Sequence, residues 1–258
     1  MTNAMVSLRG VDKVFPGRKG TSTVALKGID LEIGSAEFVS LLGPSGCGKS
    51  TLLRIVGDLL EPSSGSVTVN GKTPAQARHD RDYGMVFQQA TLLEWRRVLQ
   101  NVALPLEITG VAEPERSARA GAMLKLVELT EFAEHYPWQL SGGMQQRVAI
   151  ARALTLEPSL LLMDEPFGAL DEMTRERMQM ELMRIWQETQ TTVLFVTHSI
   201  PEAVFLSTQV VVMSPRPGTV AGVVEIDLGQ PRGFETREAP KYFDKLVEVR
   251  EVLRAVEE

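Results

Sequence analysis

Three short apolar runs along the chain each end at a turn or at polar residues. They read FVSLL at residues 38–42, LLLM at 160–163 and TVLFV at 192–196. Runs that are apolar throughout, without alternation, are typical of strands buried on both faces of a parallel sheet. Shorter apolar patterns predict further strands at residues 66–69, 83–87, 210–213 and 220–226.

Segments with a helical pattern lie between these runs, at residues 49–57, 145–156 and 174–189. Strands that alternate with helices predict an α/β fold with right-handed crossovers. The alternation stops between about residues 92 and 155, where helix formers dominate and residues 118–129 are amphipathic. We interpret this stretch as a helical lobe inserted into the α/β core.

The end of the chain has a different composition. Residues 229–239 are rich in Gly, Pro and charge, and they are followed by a charged helical pattern at 242–257. We therefore expect one main domain over residues 1–229, and a linker with a final helix over residues 230–258. A solvated face is the favoured interpretation of that final helix.

Bulk composition fits a globular protein and narrows its possible partners. The chain has 258 residues, of which 43% are hydrophobic, and its net charge of −6 argues against a dedicated nucleic-acid binder. Its single cysteine, Cys47, permits no intrachain disulfide, which fits a reducing compartment. We expect neither a signal peptide nor a membrane-spanning segment, so any work at a membrane requires another subunit as the anchor.

A glycine-rich segment follows the first apolar run and matches the pattern G-x-x-x-x-G-K-[ST]. Glycines allow backbone N–H groups to surround a phosphate, and the next helix directs its positive end at the same anion. Lys49 is expected to contact the β- and γ-phosphates, and Ser50 is expected to bind Mg²⁺. A strand before and a helix after favour a nucleotide site over a chance match. The predicted site comprises Gly43, Pro44, Ser45, Gly46, Cys47, Gly48, Lys49, Ser50 and Thr51.

Two acidic residues, Asp164 and Glu165, end the second apolar run. Carboxylates at the C-terminal edge of a parallel sheet face the crevice where ligands bind. We expect Asp164 to bind Mg²⁺ directly or through water, and Glu165 to orient or deprotonate the attacking water. A strand end that happens to be acidic is the alternative, which is less favoured beside a phosphate loop.

The segment LSGGMQQR, residues 140–147, narrows the class of nucleotide-binding protein. Ser141, Gly142 and Gly143 precede a helix expected to begin near Met144, which gives a second anion-binding helix N-terminus. The segment resembles the LSGGQ signature of the ATP-binding subunits of ABC transporters. Met144 replaces the glutamine, as is familiar among importers of the nitrate, sulfonate and taurine type. Standing alone, the motif would be interpreted as an ordinary capped helix start.

The resemblance covers about residues 6–229 and implies a fold and an activity. The implied fold is a P-loop NTPase (ABC ATPase) core with a mainly parallel sheet, an antiparallel β portion near the N-terminus and an inserted α-helical lobe. The implied activity is hydrolysis of ATP with Mg²⁺, coupled to transport across a membrane.

The resemblance also implies partners and a location. Two chains pair head to tail as a homodimer, and each ATP lies between the phosphate loop of one chain and the signature of the other. The dimer binds integral membrane permease subunits at the cytoplasmic face of the inner membrane. A periplasmic or extracellular solute-binding protein is an indirect partner, and no nucleic-acid partner is expected.

Further residues correspond to elements of the family. Gln88 matches the glutamine that reaches Mg²⁺ and the attacking water, with Gln89 as the alternative if the register slips by one. His198 matches the histidine that contacts the γ-phosphate. Phe15 matches the aromatic residue that stacks on adenine, with a core position as the alternative. Residues 169–171 match the loop that touches the other subunit.

Two runs resemble the nitrate, sulfonate and taurine importers: LLEWR at residues 92–96 and PRPG at 215–218. The family usually has Pro where this chain has Glu94. We expect Trp95 and Arg96 to help form the groove that receives a short permease helix. Packing of Trp95 inside the helical lobe is the alternative.

Two other functions are alternatives to that of a transporter subunit. A soluble ABC-type ATPase of DNA repair, chromosome maintenance or translation usually has a coiled-coil insertion, a zinc module or two ATPase halves, and the sequence shows none of them. A non-hydrolytic nucleotide-binding adaptor is disfavoured by Glu165 and His198, because degenerate ATPases tend to lose such groups. The sequence does not identify the transported solute.

Overall fold

The computed structural model describes residues 4–17 and 21–256, which form two β-sheets and a set of helices. The strands of this part of the chain are β1 (Val6–Pro16), β2 (Ser22–Ile33), β3 (Phe38–Leu42), β4 (Ser64–Val69), β5 (Tyr83–Val86), β6 (Leu160–Asp164), β7 (Thr192–Thr197), β8 (Gln209–Met213) and β9 (Val220–Glu225).

The helices within the same residues are α1 (Lys49–Val56), α2 (Pro74–Asp80), α3 (Val98–Ile108), α4 (Glu115–Leu126), α5 (Gly142–Leu154), α6 (Glu172–Thr189), α7 (Ile200–Leu206), α8 (Phe234–Glu238) and α9 (Pro240–Arg254). Two 3₁₀ turns, Thr130–Phe132 and Pro137–Gln139, lie between α4 and α5.

The larger sheet has the strand order β5-β6-β7-β3-β8-β9. The first five strands in this order run parallel, and β9 is antiparallel to β8. The smaller sheet is antiparallel, with the order β2-β1-β4. A mainly parallel sheet with an antiparallel portion near the N-terminus is therefore confirmed.

The central strands are buried on both faces, as the uninterrupted apolar runs predicted. Phe38 and Phe195 point into the core on the side of the helical lobe. Their neighbours Val39 and Leu194 point into a second core shared with α1 and the small sheet. Successive side chains of a strand alternate between faces, so each run supplies both cores.

The long strands β1 and β2 do not stand out in the hydrophobic pattern. Within β1, register shifts relative to β2 fall between Leu8 and Val11 and again on either side of Lys13. Each irregularity interrupts the period of two that identifies a half-buried strand. The short helices α2 and α7 also escaped the pattern, because seven residues span less than two full helical periods.

The helical lobe contains α3, α4 and α5, which pack together as the sequence predicted. Helix α5 begins at Gly142, which is earlier than the expected start near Met144, because Ser141 serves as its N-cap. The predicted linker at residues 229–239 contains the short helix α8.

Helix α9 packs against α7, β8 and β9, and buries Tyr242 and Val249. The final helix is therefore solvated on only part of its surface, and the expected end at residue 257 lies outside the described residues. Within residues 4–17 and 21–256, no helix combines the length and the apolar character that a bilayer span demands.

Candidate nucleotide-hydrolysis site

The loop between β3 and α1 contains glycines at positions where a side chain would be strained or would clash. Gly48, the N-cap of α1, has a φ of 107°. A Cβ atom on Gly48 would lie 2.6 Å from the Leu26 side chain, and one on Gly43 would lie 2.7 Å from the carbonyl oxygen of Met213. The glycines thus permit both the turn and its close packing.

Lys49 places its ammonium group inside this loop. Its side chain is buried, and Nζ donates to the carbonyl oxygens of Gly43 at 2.7 Å and Pro44 at 3.1 Å. The positive charge is therefore fixed at the start of α1, where the helix end also attracts an anion.

Ser50 and Asp164 meet across the loop and the sheet edge. Ser50 Oγ donates to Asp164 Oδ1 at 2.7 Å, and Arg54 Nη2 lies 4.0 Å from the other carboxylate oxygen. In residues 4–17 and 21–256, no three His, Cys, Asp or Glu side chains are grouped as metal ligands. One carboxylate and one hydroxyl nevertheless fit Mg²⁺, which takes few protein ligands when nucleotide phosphates supply others.

Glu165 and His198 form a second pair at the same edge. His198 Nδ1 lies 3.1 Å from Glu165 Oε2. With the proton on Nδ1, His198 donates this hydrogen bond and the carboxylate accepts it. Glu165 has a φ of 46°, an unusual value for a residue with a side chain. Its backbone N–H donates to the Val196 carbonyl at 3.1 Å, which holds it in this conformation.

A cavity of about 410 Å³ is lined in part by the phosphate loop. Its lining includes eight of the predicted site residues, namely Phe15, Ser45, Gly46, Gly48, Lys49, Ser50, Thr51 and Glu165. Phe15 is 37% exposed, which contradicts the alternative of a core position. Gly43, Pro44 and Cys47 belong to the loop but do not line the cavity, and Cys47 is buried behind it.

Three residues of the lining escaped the sequence reasoning: Thr23, Ala25 and Arg216. Arg216 lies in the turn between β8 and β9, and its Nη2 donates to the Gly46 carbonyl at 3.2 Å. Its position after β8, a parallel strand beside β3, was the signal that could have identified it.

Gln88 lies next to the loop that follows Glu165. A Cβ atom on Gly168 would be 3.1 Å from Gln88 Nε2. Gln88 and Gln89 both line a separate cavity of about 380 Å³, together with Gly142 and Leu170. The structure therefore brings Gln88 beside the loop that follows Glu165 but not into the phosphate-loop cavity.

The signature residues face a different part of the surface. Ser141 Oγ accepts a hydrogen bond from the Met144 N–H at 3.4 Å and caps α5. Ser141 and Gly143 line a cavity of about 340 Å³ that also includes Arg147 and Arg177. Among the described residues, this cavity shares no lining residue with the phosphate-loop cavity.

The comparison with protein families gives a match to the ABC transporter model over residues 26–168. The chain belongs to the ABC transporter family of ATP-binding proteins. The resemblance of the signature segment is thereby confirmed, and so are the α/β P-loop NTPase fold and the assignment as an ATPase.

Relatives of this ABC ATPase match it over nearly its full length. The taurine import ATP-binding protein TauB of Rhizobium johnstonii is 51% identical over 94% of this chain and 92% of its own length. The nitrate import ATP-binding protein NrtD of Synechocystis sp. is 44% identical over 98% of this chain and 96% of its own.

A solved structure matches the fold of this ABC ATPase. It is a dimeric, post-hydrolysis state of the ATP-binding cassette MJ0796, bound to ADP and Pi. The TM-score is 0.75 at 40% sequence identity, and the match covers 89% of this chain and 100% of that one.

Replacement of Glu165 by Gln tests its assignment as the general base. The amide keeps the size of the side chain but accepts a proton poorly, so we expect ATP binding to persist while turnover falls roughly 10²–10⁴-fold. When ATP is added, the variant should accumulate as dimers, which size-exclusion chromatography detects. The rate of phosphate release measures turnover. Glu188→Gln, at an exposed position near the end of α6, is the control, and wild-type turnover of Glu165→Gln would contradict the assignment.

Proposed function

We propose that this chain is the ATP-hydrolysing subunit of an importer for taurine, nitrate or a related small solute. The observation that carries the proposal is the similarity to TauB and NrtD over nearly the whole chain, together with the cavity at the phosphate loop. The proposal covers the class of solute, the assembly with a second copy and a permease, and the roles of individual residues.

ATP binding rests on residues around the 410 Å³ cavity. The exposed ring of Phe15 offers a face for adenine, since aromatic faces suit bases. The backbone of the phosphate loop and Lys49 bind the phosphates. Ser50 and Asp164 hold Mg²⁺, which supplies charge neutralisation on the phosphate oxygens when bound.

Hydrolysis transfers the γ-phosphoryl group to water. Glu165 orients the water and accepts its proton, and Gln88 approaches the same water from the neighbouring loop. His198 contacts the γ-phosphate and is held by Glu165 through Nδ1. Positioning and charge stabilisation account for most of the rate in such reactions.

A second copy of the chain completes the site. The separate cavities of the phosphate loop and the signature support a head-to-tail homodimer, because one chain presents the two elements on different surfaces. Ser141, Gly142 and Gly143 of one copy then bind the γ-phosphate held by the other. ATP favours the closed dimer, and hydrolysis removes that preference.

The permease binds at the start of the helical lobe. Trp95 is 73% exposed, which contradicts the alternative that it packs inside the helical lobe. Asn101 is buried and its amide donates to the carbonyl oxygens of Leu93, Arg96 and Arg97, which fixes the loop that carries Trp95. A large exposed aromatic ring on a fixed loop suits an interface anchor.

A groove of about 670 Å³ lies between α3 and α4, and Trp95 is not among its lining residues. Arg96 lines it and forms an ion pair with Glu107, with Nη1 2.6 Å from Oε2. We assign this groove to the short permease helix. The ATPase then lies at the cytoplasmic face of the inner membrane, held by the permease, while a solute-binding protein delivers the solute from the other side.

A Lys49→Ala variant tests the link between ATP and uptake in cells that depend on this chain. Loss of the ammonium from the phosphate loop should abolish ATP-driven uptake of the transported solute. Uptake of labelled taurine, other sulfonates and nitrate measures the effect and identifies the solute. Uptake that is present with wild type and unchanged in the variant would contradict the proposed role.

A Trp95→Ala variant tests the docking surface. We expect the amount of permease that copurifies to fall by roughly tenfold or more, because an interface anchor is removed. The ATPase activity of the isolated chain should stay intact. Trp138→Ala is the matched control, because Trp138 is an exposed tryptophan elsewhere on the lobe at 62% exposure. Hydrolysis lost with permease binding retained would reverse the assignment.

A further inference from the structure

Glu202, in the first turn of α7, is a buried carboxylate that the hydrolysis scheme leaves without a role. Only 6% of the residue is exposed. Burial raises the pKa of its carboxyl group, while hydrogen bonds from Thr197 and Gln179 act in the opposite direction. Burying a carboxyl group costs free energy unless it is well hydrogen-bonded, so its contacts indicate what it holds in place.

The contacts of Glu202 fix both chain neighbours of His198. Thr197 Oγ1 donates to Glu202 Oε2, and the same hydroxyl accepts the Ser199 N–H at 3.0 Å. Ser199 Oγ in turn accepts the Glu202 N–H at 3.4 Å. The side chain of His198 is 60% exposed, so little packing restrains its ring. Its direction therefore depends on the contact with Glu165 and on the backbone on either side.

The network continues from Glu202 to the C-terminal segment. Gln179 of α6 donates from Nε2 to Glu202 Oε1 at 3.1 Å, and Arg237 donates from Nη2 to Gln179 Oε1. The Arg237 guanidinium also lies 4.0 Å from the ring centroid of Phe205 in α7. We call the hydrogen-bonded series Thr197, Glu202 and Gln179 the relay. Arg237 thus contacts both this relay and α7, the helix that follows His198.

A second arginine attaches the same segment to the end of α7. Arg232 is buried, and its Nη1 donates to the carbonyl oxygens of Phe205 and Ser207 at 2.8 Å each. These are carbonyl groups at a helix C-terminus, where a cation is favoured. The segment of residues 229–239, which the sequence predicts as a linker, is therefore hydrogen-bonded to the end of α7.

We infer that Glu202 is a positioning residue for His198, and that Arg237 steadies Glu202 through Gln179. This inference rests on the proposed role of His198 at the γ-phosphate. Glu202 holds Thr197 and Ser199, which set where the histidine ring lies relative to Glu165. A displacement of about 1 Å at a reacting group can lower a rate by about 10²-fold, so the relay matters for turnover more than for ATP binding.

The test compares turnover and ATP affinity of the purified chain. Glu202→Ala should lower kcat by roughly 10- to 100-fold and leave KM for ATP within about twofold, since positioning of the histidine is lost while the ATP cavity is intact. Glu202→Gln keeps an acceptor oxygen for Thr197 and should recover most of the activity. Glu188→Ala, an exposed glutamate of α6, is the control. Wild-type kcat in Glu202→Ala would overturn the inference.

A double variant separates positioning from general structural damage. If Glu202 acts through His198, the Glu202→Ala change should cause no further loss of kcat in a His198→Ala background. Equal losses in both backgrounds would overturn the inference while leaving the proposed function intact. Wild-type turnover in His198→Ala alone would overturn the role of His198 and the inference together.

Thr197→Val provides a version of the test that keeps the fold. Valine has nearly the shape of threonine but lacks the hydroxyl that joins Glu202 to Ser199. The lost hydrogen bonds should lower the melting temperature somewhat. In the protein that is still folded at the assay temperature, we expect kcat to fall with unchanged KM, and wild-type kcat would overturn the inference.

At the far end of the relay, Arg237→Ala should lower kcat by about two- to fivefold, since it acts through two intervening side chains. Arg250→Ala, an exposed arginine of α9, is the matched control. Equal activity of these two variants would overturn the C-terminal end of the relay.

Discussion

The parallel pairing of β3, β6 and β7 is the constraint on which the site depends. In the register of the sheet, Leu42 lies opposite Thr197, and Asp164 lies opposite Val196. The phosphate loop, the acidic pair and His198 therefore leave the sheet at one edge. Because each strand is buried on both faces, a shift by one residue would exchange its two core-facing sets of side chains, so packing fixes the register.

The same architecture separates the phosphate loop from the signature within one chain. The sheet edge presents Lys49 and Glu165 to the phosphate-loop cavity, whereas the signature at the start of α5 belongs to the helical lobe and lines its own cavity. In the proposed dimer, ATP joins two surfaces that have no shared residues, so nucleotide binding and closure become one event. The C-terminal segment adds further contacts, because Arg232 binds the end of α7 and Arg237 binds Gln179, which donates to Glu202.

Most of the core and the phosphate loop could be predicted from sequence, and the reasons are physical. An uninterrupted apolar run such as residues 38–42 permits few structures, and the loop after it has a fixed spacing set by phosphate geometry. The bulged strand β1 was missed because its register shifts break the period of two. Arg216 and the Glu202 relay were missed because they depend on contacts between distant segments, such as Arg216 with Gly46, that no local pattern records.

The central claim is that each ATP lies between the phosphate loop of one chain and the signature of another. The direct measurement mixes Glu165→Gln chains with isotope-labelled Lys49→Ala chains and adds ATP carrying a photoreactive group on the γ-phosphate. After illumination, mass spectrometry should find the cross-link on the labelled peptide that contains Ser141 and Gly143, although that chain lacks its own Lys49. Cross-links confined to the Glu165→Gln chain would contradict the head-to-tail site.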